Sequence, residues 1–291
     1  MLITSTKQEK MCDRIPVSTL LFGASSILGF HLATLFPKTI APFISPGNTS
    51  RAVRHWPSLQ LSDSQWLEKL FHRTQPNILV YCHAVCDVPK CEAYPDWAYE
   101  VNVQQVERVI AALPGHTRLV YVSSDHVFGG DGVYSEESSL CPISVYGWTR
   151  VEAERLVLRR AGSLVIRTSL GIGPSPNGRT GHLDWLRYRI LHNLPITIIE
   201  DEYRSVVWMW ELATRVLTLA RSEEAGLRHI SATRAVSRVD LANYLLNLLG
   251  KPATFKIECR HQQRTPHLGR VELDSVYEGE LFRPLTSVLD G

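Results

Sequence analysis

The sequence predicts an α/β protein with a doubly wound parallel sheet in its first part and a smaller C-terminal lobe. Over the first 170 residues, short apolar runs alternate with longer segments of helical periodicity. These runs are apolar throughout, which is typical of strands buried on both faces of a parallel sheet. After residue 170 the alternation loosens, and a loop rich in Gly and Pro, "GPSPNGRTG", leads into the remaining segments.

The first part contains five predicted strands and four predicted helices. The strands are "STLLFGA", "KTIAPFI", "NILVYCHA", "RLVYVSS" and "SLVIRTS". The helices are "SSILGFHLATLF", "SDSQWLEKLFHRT", "PDWAYEVNVQQVERVIAAL" and "VYGWTRVEAERLVLRRA". A serine is expected to cap the second of these helices. Further helices are expected at about 181–192, 210–221 and 237–249, separated by short strands.

The predicted organisation has three parts: a flexible N-terminal extension over 1–15, a sheet domain over 16–170 and a lobe over 171–291. Segments at about 200–222 are expected to return from the lobe to the sheet domain. The extension, "MLITSTKQEKMCDR", is polar and lacks the apolar middle of a secretory signal.

Composition narrows the classes of partner. The 291 residues are 44% hydrophobic and 21% charged, and they carry a formal net charge of +2. This balance gives no electrostatic basis for binding nucleic acid or a membrane surface. No apolar run approaches the roughly 18 residues of a membrane span. Six cysteines in a chain of this length do not form a disulfide scaffold, so we expect a reducing, cytoplasmic location.

Three of the cysteines lie close together in "CHAVCDVPKC", with His83 among them. Their spacing does not match the paired CxxC knuckles of zinc sites. Free cysteine also behaves as a small buried hydrophobe. We therefore predict no metal site.

The first strand runs into the glycine turn "GASSILG". A strand, a glycine turn and a helix can bind an anion, because free backbone N–H groups and the helix dipole point at a phosphate. The usual dinucleotide fingerprint has a middle glycine, where this chain has a serine. This motif alone is consistent with two interpretations, a purely structural turn and a cofactor site. The cofactor contacts predicted here are Gly23, Ser25, Ser26, Ile27, Leu28 and Gly29.

The end of the second strand favours NADP(H) over NAD(H). An acidic residue commonly meets the ribose hydroxyls of NAD at this point, and "PFISPGNTSRAVR" contains none. It contains Arg51 and Arg54, and arginine suits a 2′-phosphate. We assign Arg51 to the cofactor site.

Candidate catalytic residues lie on the fourth predicted strand and on the helix that follows it. Ser124 ends a predicted strand, at the edge where open parallel sheets place ligands. Tyr146 begins the next helix and shares a face with Arg150, four residues further on. A carbonyl group held between the Ser124 and Tyr146 hydroxyls could accept a hydride on carbon and a proton on oxygen.

These motifs together resemble the extended short-chain dehydrogenase/reductase superfamily, in its dTDP-4-dehydrorhamnose reductase branch. The resemblance runs through nearly the whole chain, with its motifs in the same order. It implies a Rossmann-type fold in which 16–170 bind NAD(P) and 171–291 form mainly the substrate-binding lobe. The pieces that carry it are "DVPKCE", "VN" at 101–102, "SSDHVFGG", "YGWTR", "IRTSLGIG", "EDEYRSVV", "LRHISATRAVSRVDLA" and "FRPLTSVLD".

The resemblance implies an NAD(P)H-dependent reductase of a nucleotide-linked 4-keto sugar or a similar small molecule. It puts Ser124 at the catalytic serine position, Tyr146 at the proton donor and Arg150 at the family lysine. It adds to the cofactor site His83, Ala84, Tyr146 and Arg150. It implies substrate contacts at Asn102, Asp125, His126 and Arg204, with Asn102 near an active-site water. A homodimer and a complex with a partner enzyme both stay open.

Several departures from the family pattern bear on activity. Ser26 replaces the middle glycine, and Arg150 replaces the lysine. His126 replaces an aromatic residue, and Gly129 replaces an aspartate. Arginine keeps the positive charge but is planar and cannot give up a proton, so a proton relay through position 150 would be lost.

Two other functions stay open. Ser26 and Arg150 favour a non-catalytic regulatory subunit that binds a cofactor or a partner, and a regulatory subunit of methionine adenosyltransferase also resembles this branch. His126 favours epimerisation, dehydration or reduction of a non-sugar ketone, because the ordinary pKa of histidine suits acid–base work near neutrality. A histidine facing solvent at the start of a loop would explain position 126 without any chemistry.

Overall fold

The structure is a computed structural model that describes residues 18–291. The extension predicted over 1–15 and Cys12 lie outside the described residues. The strands are β1 (Thr19–Phe22), β2 (Ile40–Phe43), β3 (Ile78–Tyr81), β4 (Arg118–Ser124), β5 (Gly132–Tyr134), β6 (Leu164–Thr168), β7 (Leu170–Ile172), β8 (Thr197–Ile199), β9 (Tyr203–Trp208), β10 (Gly226–Ile230), β11 (Ala235–Ser237), β12 (Lys256–Glu258) and β13 (Arg270–Leu273). The α-helices are α1 (Ile27–Leu35), α2 (Ser64–Thr74), α3 (Val88–Ala93), α4 (Pro95–Tyr99), α5 (Gln105–Ala112), α6 (Val145–Leu158), α7 (His182–Leu191), α8 (Met209–Arg221) and α9 (Arg238–Leu248).

Six strands form one parallel sheet in the order β10, β6, β4, β3, β1, β2. Phe22 of β1 pairs in register with Phe43 on one side and with Tyr81 on the other. From β2 the chain crosses back over β1 to β3, so the direction of winding reverses between β1 and β3. Ligands of open α/β sheets bind at such a switch point, beyond the carboxyl ends of the strands.

Helices cover both faces of this sheet. On one face, α1 and α8 contribute Leu32 and Val216 to a core that also contains Val80. On the other face, α2 and α6 contribute Phe71 and Val157 to a second core. A sheet buried on both sides requires strands that are apolar throughout, as the sequence has them. The predicted doubly wound α/β fold is confirmed.

Two helices differ from the sequence-based expectation. The cap of α2 is Asp63, whose Oδ1 accepts a hydrogen bond from the backbone N of Trp66 at 3.0 Å. The predicted serine cap is therefore wrong, since adjacent serine and aspartate residues can both cap a helix and the carboxylate is the one in place. The long helix predicted over "PDWAYEVNVQQVERVIAAL" is α4 and α5 joined by a π-helical turn, Glu100–Gln104.

A second lobe is built on a smaller sheet with the strand order β11, β9, β13, β5, in which β7 also pairs with β9. Strand β5 belongs to the segment after β4, so the chain beyond Ser124 runs directly into this sheet. A third core, which includes Leu186 and Leu245, packs α7 and α9 against it. Between β9 and β11 the chain returns to the large sheet through α8 and β10, which pairs with β6. The return predicted at about 200–222 therefore begins only after β9, which belongs to the smaller sheet, and it continues past residue 222.

Within residues 18–291, no helix has the length and apolarity needed to cross a bilayer.

Candidate active site

The glycine turn between β1 and α1 is shaped by close backbone approaches. Gly23 has a φ of +90°, and a Cβ there would lie 2.5 Å from the backbone N of His83. A Cβ on Gly29 would lie 2.2 Å from the carbonyl oxygen of Gly23. Neither position can hold a larger residue without moving backbone. Ser26 caps α1, since its Oγ accepts a hydrogen bond from the backbone N of Gly29 at 3.0 Å.

A chain of hydrogen bonds joins this turn to the ends of β2 and β3. Ser25 Oγ donates to Ser45 Oγ at 3.0 Å, and Ser45 Oγ lies 3.0 Å from His83 Nδ1. His83 Nε2 lies 3.2 Å from Gln105 Oε1. Burial lowers the pKa of His83 to about 4, so its imidazole is neutral at neutral pH. These four polar side chains fix the edge of the switch point.

The other predicted cofactor residues differ in how far they are exposed to solvent. Leu28 is buried in the core under α1, whereas Ile27 and Ala84 are half-buried. Arg51 and Arg54 are exposed on the segment after β2. Neither arginine forms an ion pair with another described residue. Both guanidinium groups are thus available to an anion from solvent.

Ser124 and Tyr146 come together at the carboxyl end of β4. Ser124 is half-buried, and its Oγ donates to Asp125 Oδ1 at 3.2 Å. Tyr146 is buried in the first turn of α6, which begins where Ser144 Oγ caps the backbone N of Gly147 at 3.0 Å. Burial raises the pKa of Tyr146, while the charge of Arg150 and the hydroxyl of Ser124 lower it. The tyrosine is therefore protonated at neutral pH, as a proton donor must be.

Arg150 points into the protein rather than out to solvent. Only 3% of its surface is exposed, and its Nη2 donates to the carbonyl oxygen of Val122. Its guanidinium carbon lies 4.6 Å from the ring centre of Tyr121 and 5.9 Å from that of Tyr146. A positive charge is thus held next to the tyrosine.

Asn102 is wholly buried in the π-helical turn, and both its amide oxygen and its amide nitrogen form hydrogen bonds within the protein. Its Oδ1 accepts a hydrogen bond from the backbone N of Val85 at 2.8 Å. Its Nδ2 donates to the carbonyl oxygen of Val85 at 3.0 Å and to Thr149 Oγ1 at 2.9 Å. The side chain therefore ties the loop after β3 to α6, which carries Tyr146.

Asp125 and Arg204 meet as a buried ion pair. Nε of Arg204 donates to Asp125 Oδ2 at 2.7 Å, and Nη2 donates to Asp125 Oδ1. Arg204 also contacts Glu202, which in turn lies 3.1 Å from His267 Nδ1. The charges of Asp125 and Arg204 are directed at each other, so a substrate would meet them as a fixed pair.

His126 lies against the ring of Tyr146. The two ring centres are 5.1 Å apart, at an interplanar angle of 68°. Nδ1 of His126 is buried and has no hydrogen-bond partner among the described residues. Burial and the charge of Arg204 lower the pKa of His126 to about 4. The side chain is half-buried against the catalytic tyrosine position and is not the solvent-facing histidine that the sequence also allowed.

The cysteine cluster has no metal-site geometry. Cys82, Cys86 and Cys91 carry free thiols, and Cys91 is fully buried. Within residues 18–291, no group of three or more His, Cys, Asp or Glu side chains is arranged to hold a metal ion.

Comparison with known proteins assigns the family. Residues 17–284, nearly the whole chain, match the family described as the RmlD substrate binding domain. The chain belongs to this family. It is an extended short-chain dehydrogenase/reductase of the dTDP-4-dehydrorhamnose reductase branch, as the motifs predicted.

Two curated proteins and one solved structure are similar to this chain. The chain is 25% identical to the dTDP-4-dehydrorhamnose reductase of Aggregatibacter actinomycetemcomitans, over 77% of this chain and 76% of that one. It is 31% identical to methionine adenosyltransferase 2 subunit beta of Rattus norvegicus, over 51% of this chain and 45% of that one. The crystal structure of a dTDP-4-dehydrorhamnose reductase from Bacillus anthracis in complex with NADP superposes with a TM-score of 0.78. That structure is 20% identical, and the match covers 92% of this chain and 94% of that one.

Some residues that shape this RmlD-family site were missed in the sequence. Tyr121 lies under Arg150, and Thr149 anchors Asn102. The visible signal for Tyr121 is that it and Tyr81 put phenol groups into otherwise apolar strands. Thr149 gives no signal, because its partner is 47 residues away in the chain.

Proposed function

We propose that this protein reduces the carbonyl group of a nucleotide-linked 4-keto sugar, or of a similar small molecule, with NADPH or NADH. One observation carries the proposal. The buried guanidinium carbon of Arg150 lies 5.9 Å from the ring centre of Tyr146, and the charge of Arg150 and the Ser124 hydroxyl both lower the pKa of that tyrosine. Ser124 and Tyr146 stand at the carboxyl edge of a sheet whose switch point carries a glycine turn.

The turn suits a dinucleotide. Close packing of neighbouring backbone requires glycine at positions 23 and 29, and a tight turn at the start of a helix is a structure that binds phosphate groups. Ser26 turns its hydroxyl back to cap α1, so its substitution for glycine has a structural reason. The pyrophosphate would lie against this turn, and the exposed Arg51 and Arg54 favour a 2′-phosphate, hence NADP(H) over NAD(H). The Bacillus anthracis relative, of the same fold, is in complex with NADP.

Each protein group has a defined part in the reaction. A bound reduced nicotinamide supplies the hydride to the carbonyl carbon. Ser124 donates a hydrogen bond to the carbonyl oxygen, and Tyr146 gives that oxygen its proton. The positive charge of Arg150 stabilises the phenolate that Tyr146 then becomes. Because arginine does not release a proton, Tyr146 recovers its proton from water rather than through residue 150.

The substrate is proposed to lie between the large sheet and the second lobe. His126 is neutral and half-buried beside Tyr146, so it can offer a hydrogen bond to a sugar hydroxyl. The Asp125–Arg204 pair fixes the second lobe at this edge. The substrate class is carried over from the dTDP-4-dehydrorhamnose reductase relatives.

The test is oxidation of NADPH by the purified protein against a panel of 4-keto sugar nucleotides, with NADH in parallel. Tyr146→Phe and Ser124→Ala should each lower kcat/KM by about 100-fold or more, because each loses a hydroxyl that acts on the carbonyl oxygen. NADPH binding, measured by fluorescence, should fall much less than kcat/KM, because most of the proposed cofactor contacts remain. Tyr94→Phe, at an exposed tyrosine of the same type, is the matched control. Equal turnover by wild type and Tyr146→Phe, or no turnover of any ketone tested, would contradict the proposal.

A regulatory subunit is the second candidate. It is supported by the 31% identity to methionine adenosyltransferase 2 subunit beta, although the match spans 45% of that protein. Mixing this chain with a methionine adenosyltransferase catalytic subunit would test it. An increase in that enzyme's activity that survives Tyr146→Phe favours this candidate, and the absence of a complex by size-exclusion chromatography excludes it.

A further inference from the structure

Arg150 raises a specific structural problem. A lysine would put a small point charge beside Tyr146, whereas an arginine must accommodate a wide planar group in the same interior. Here Arg150 is 3% exposed, and its Nε has no hydrogen-bond partner among the described residues. Hydrogen bonds therefore hold the guanidinium group only in part. One of them runs from Nη2 to the carbonyl oxygen of Val122.

We propose that the ring of Tyr121 is a positioning platform for Arg150, and that this platform lets an arginine do the work of the family lysine beside Tyr146. The proposal rests on the proposed function for its catalytic meaning. Its structural content, that the Tyr121 ring sets the distance between the cation and the Tyr146 phenol, stands independently of any substrate.

The first argument is geometric. The guanidinium carbon lies 4.6 Å from the ring centre of Tyr121, nearer than the 5.9 Å to Tyr146. A planar cation over an aromatic face is held by the ring quadrupole, most strongly where water is excluded. Val122, which accepts from Nη2, is the next residue of β4. Strand β4 thus holds the cation through the ring of Tyr121 and the carbonyl group of Val122. The same strand ends at Ser124, three residues after Tyr121.

The second argument is that the platform is rigid. Tyr121 is fully buried, and strand register sets it opposite Tyr81, with ring centres 5.7 Å apart and an interplanar angle of 31°. The rings of Tyr81 and Tyr121 pack side by side beneath α6. A ring in this setting cannot turn away, so it gives the guanidinium a fixed surface.

The third argument separates the ring from its hydroxyl. The Tyr121 hydroxyl is buried and has no hydrogen-bond partner among the described residues. The contact with Arg150 is therefore made by the ring face. A phenylalanine at this position keeps the face, and an aliphatic residue removes it.

The experiment reads the charge beside Tyr146 directly, without substrate. Difluorotyrosine is incorporated in place of Tyr146, because its more acidic phenol titrates where the protein is stable, and its ionisation is followed by absorbance. Tyr121→Leu should lower the acid dissociation constant of the phenol at position 146 about threefold or more, because a displaced guanidinium no longer stabilises the phenolate. Tyr121→Phe should leave it unchanged.

Two controls separate positioning from general damage. Phe71→Leu removes an equally buried ring of the same core that packs on Phe22 rather than on Tyr121, and it should leave the ionisation constant within experimental error. In an Arg150→Lys background, adding Tyr121→Leu should have little further effect, since the ring no longer has a planar cation to hold. If Tyr121→Leu does not fold, Tyr121→Met supplies the same test with a better-filled core.

Two results would overturn the proposal: an unchanged ionisation constant in folded Tyr121→Leu, or an equal shift in Tyr121→Phe. Failure of the proposed function looks different. In that case the titration shifts as predicted, while no ketone is turned over by the wild type.

Discussion

At the scale of single residues, burial decides what the histidines of the site can do. The pKa of both His83 and His126 is lowered to about 4, mainly by burial. At neutral pH both rings can form hydrogen bonds, but neither holds an extra proton to donate. His126 is therefore poorly suited to act as a general acid near neutrality. This favours the reductase, with Tyr146 as the acid, over the epimerase or dehydratase chemistry left open by the sequence.

The lowered pKa of His83 predicts a loss of stability in weak acid. In the unfolded chain His83 binds a proton with its ordinary pKa of 6.5, whereas in the folded protein it does so only at about 4. Between these values the unfolded state holds more protons, so the free energy of unfolding falls as the pH falls. His83 alone accounts for up to roughly 3 kcal/mol over this window. Urea unfolding at a series of pH values measures it.

His83→Gln should flatten that pH dependence. His116→Gln, at an exposed histidine, is the control and should leave the slope as in wild type. A slope unchanged by His83→Gln would show that His83 is not responsible.

At the scale of elements, the π-helical turn between α4 and α5 supports α6, the helix that bears Tyr146. The turn sets Asn102 inward, where its amide bonds both backbone groups of Val85 and the hydroxyl of Thr149. Thr149 lies on α6 between Tyr146 and Arg150. The loop after β3 and the helix that bears Tyr146 are thus held together by one side chain.

Asn102→Ala is expected to destabilise the protein by about 2–4 kcal/mol, because several buried hydrogen-bonding groups lose their partners. Gln104→Ala, at an exposed position of the same turn, is the control and should cost less than about 0.5 kcal/mol. Chemical denaturation of both variants measures the difference. Similar free energies of unfolding for the two variants would refute this role of Asn102.

At the scale of the whole molecule, a buried charge network joins the sheet domain to the second lobe. Asp125 follows β4, and Arg204 belongs to β9 of the smaller sheet. Glu202 extends the network to Arg238, at the start of α9, and to His267. A buried ion pair adds little net stability compared with an apolar pair, but its two members depend strongly on each other.

Arg204→Met is therefore expected to cost about 3–5 kcal/mol, because it leaves Asp125 charged and unpaired inside the protein. Combining it with Asp125→Asn should recover part of that loss. Arg234→Met, which breaks an exposed ion pair with Asp290, should change the melting temperature little. Thermal unfolding of wild type, both single variants, the double variant and Arg234→Met checks this, and an additive double variant would argue against direct coupling.

Local pattern was sufficient to predict the architecture and the placement of Ser124 and Tyr146 at the edge of the sheet. Uniformly apolar strands alternating with helices predicted the doubly wound sheet, since only a sheet covered on both faces buries such strands. Ser124 and Tyr146 could be placed at the sheet edge because strand ends and helix starts follow from that alternation. The ordered motifs predicted the family, which the match over 17–284 confirms.

Tertiary structure alone decided how the charged and polar groups are used. The sequence predicted a cation at Arg150 but not that it lies on Tyr121, since that contact crosses from helix to strand. It proposed Asp125 and Arg204 as substrate residues without revealing that they pair across 79 positions. Hydrophobic periodicity is read over a few neighbouring residues, whereas the partner of a buried charge is set by which distant segments the fold brings together.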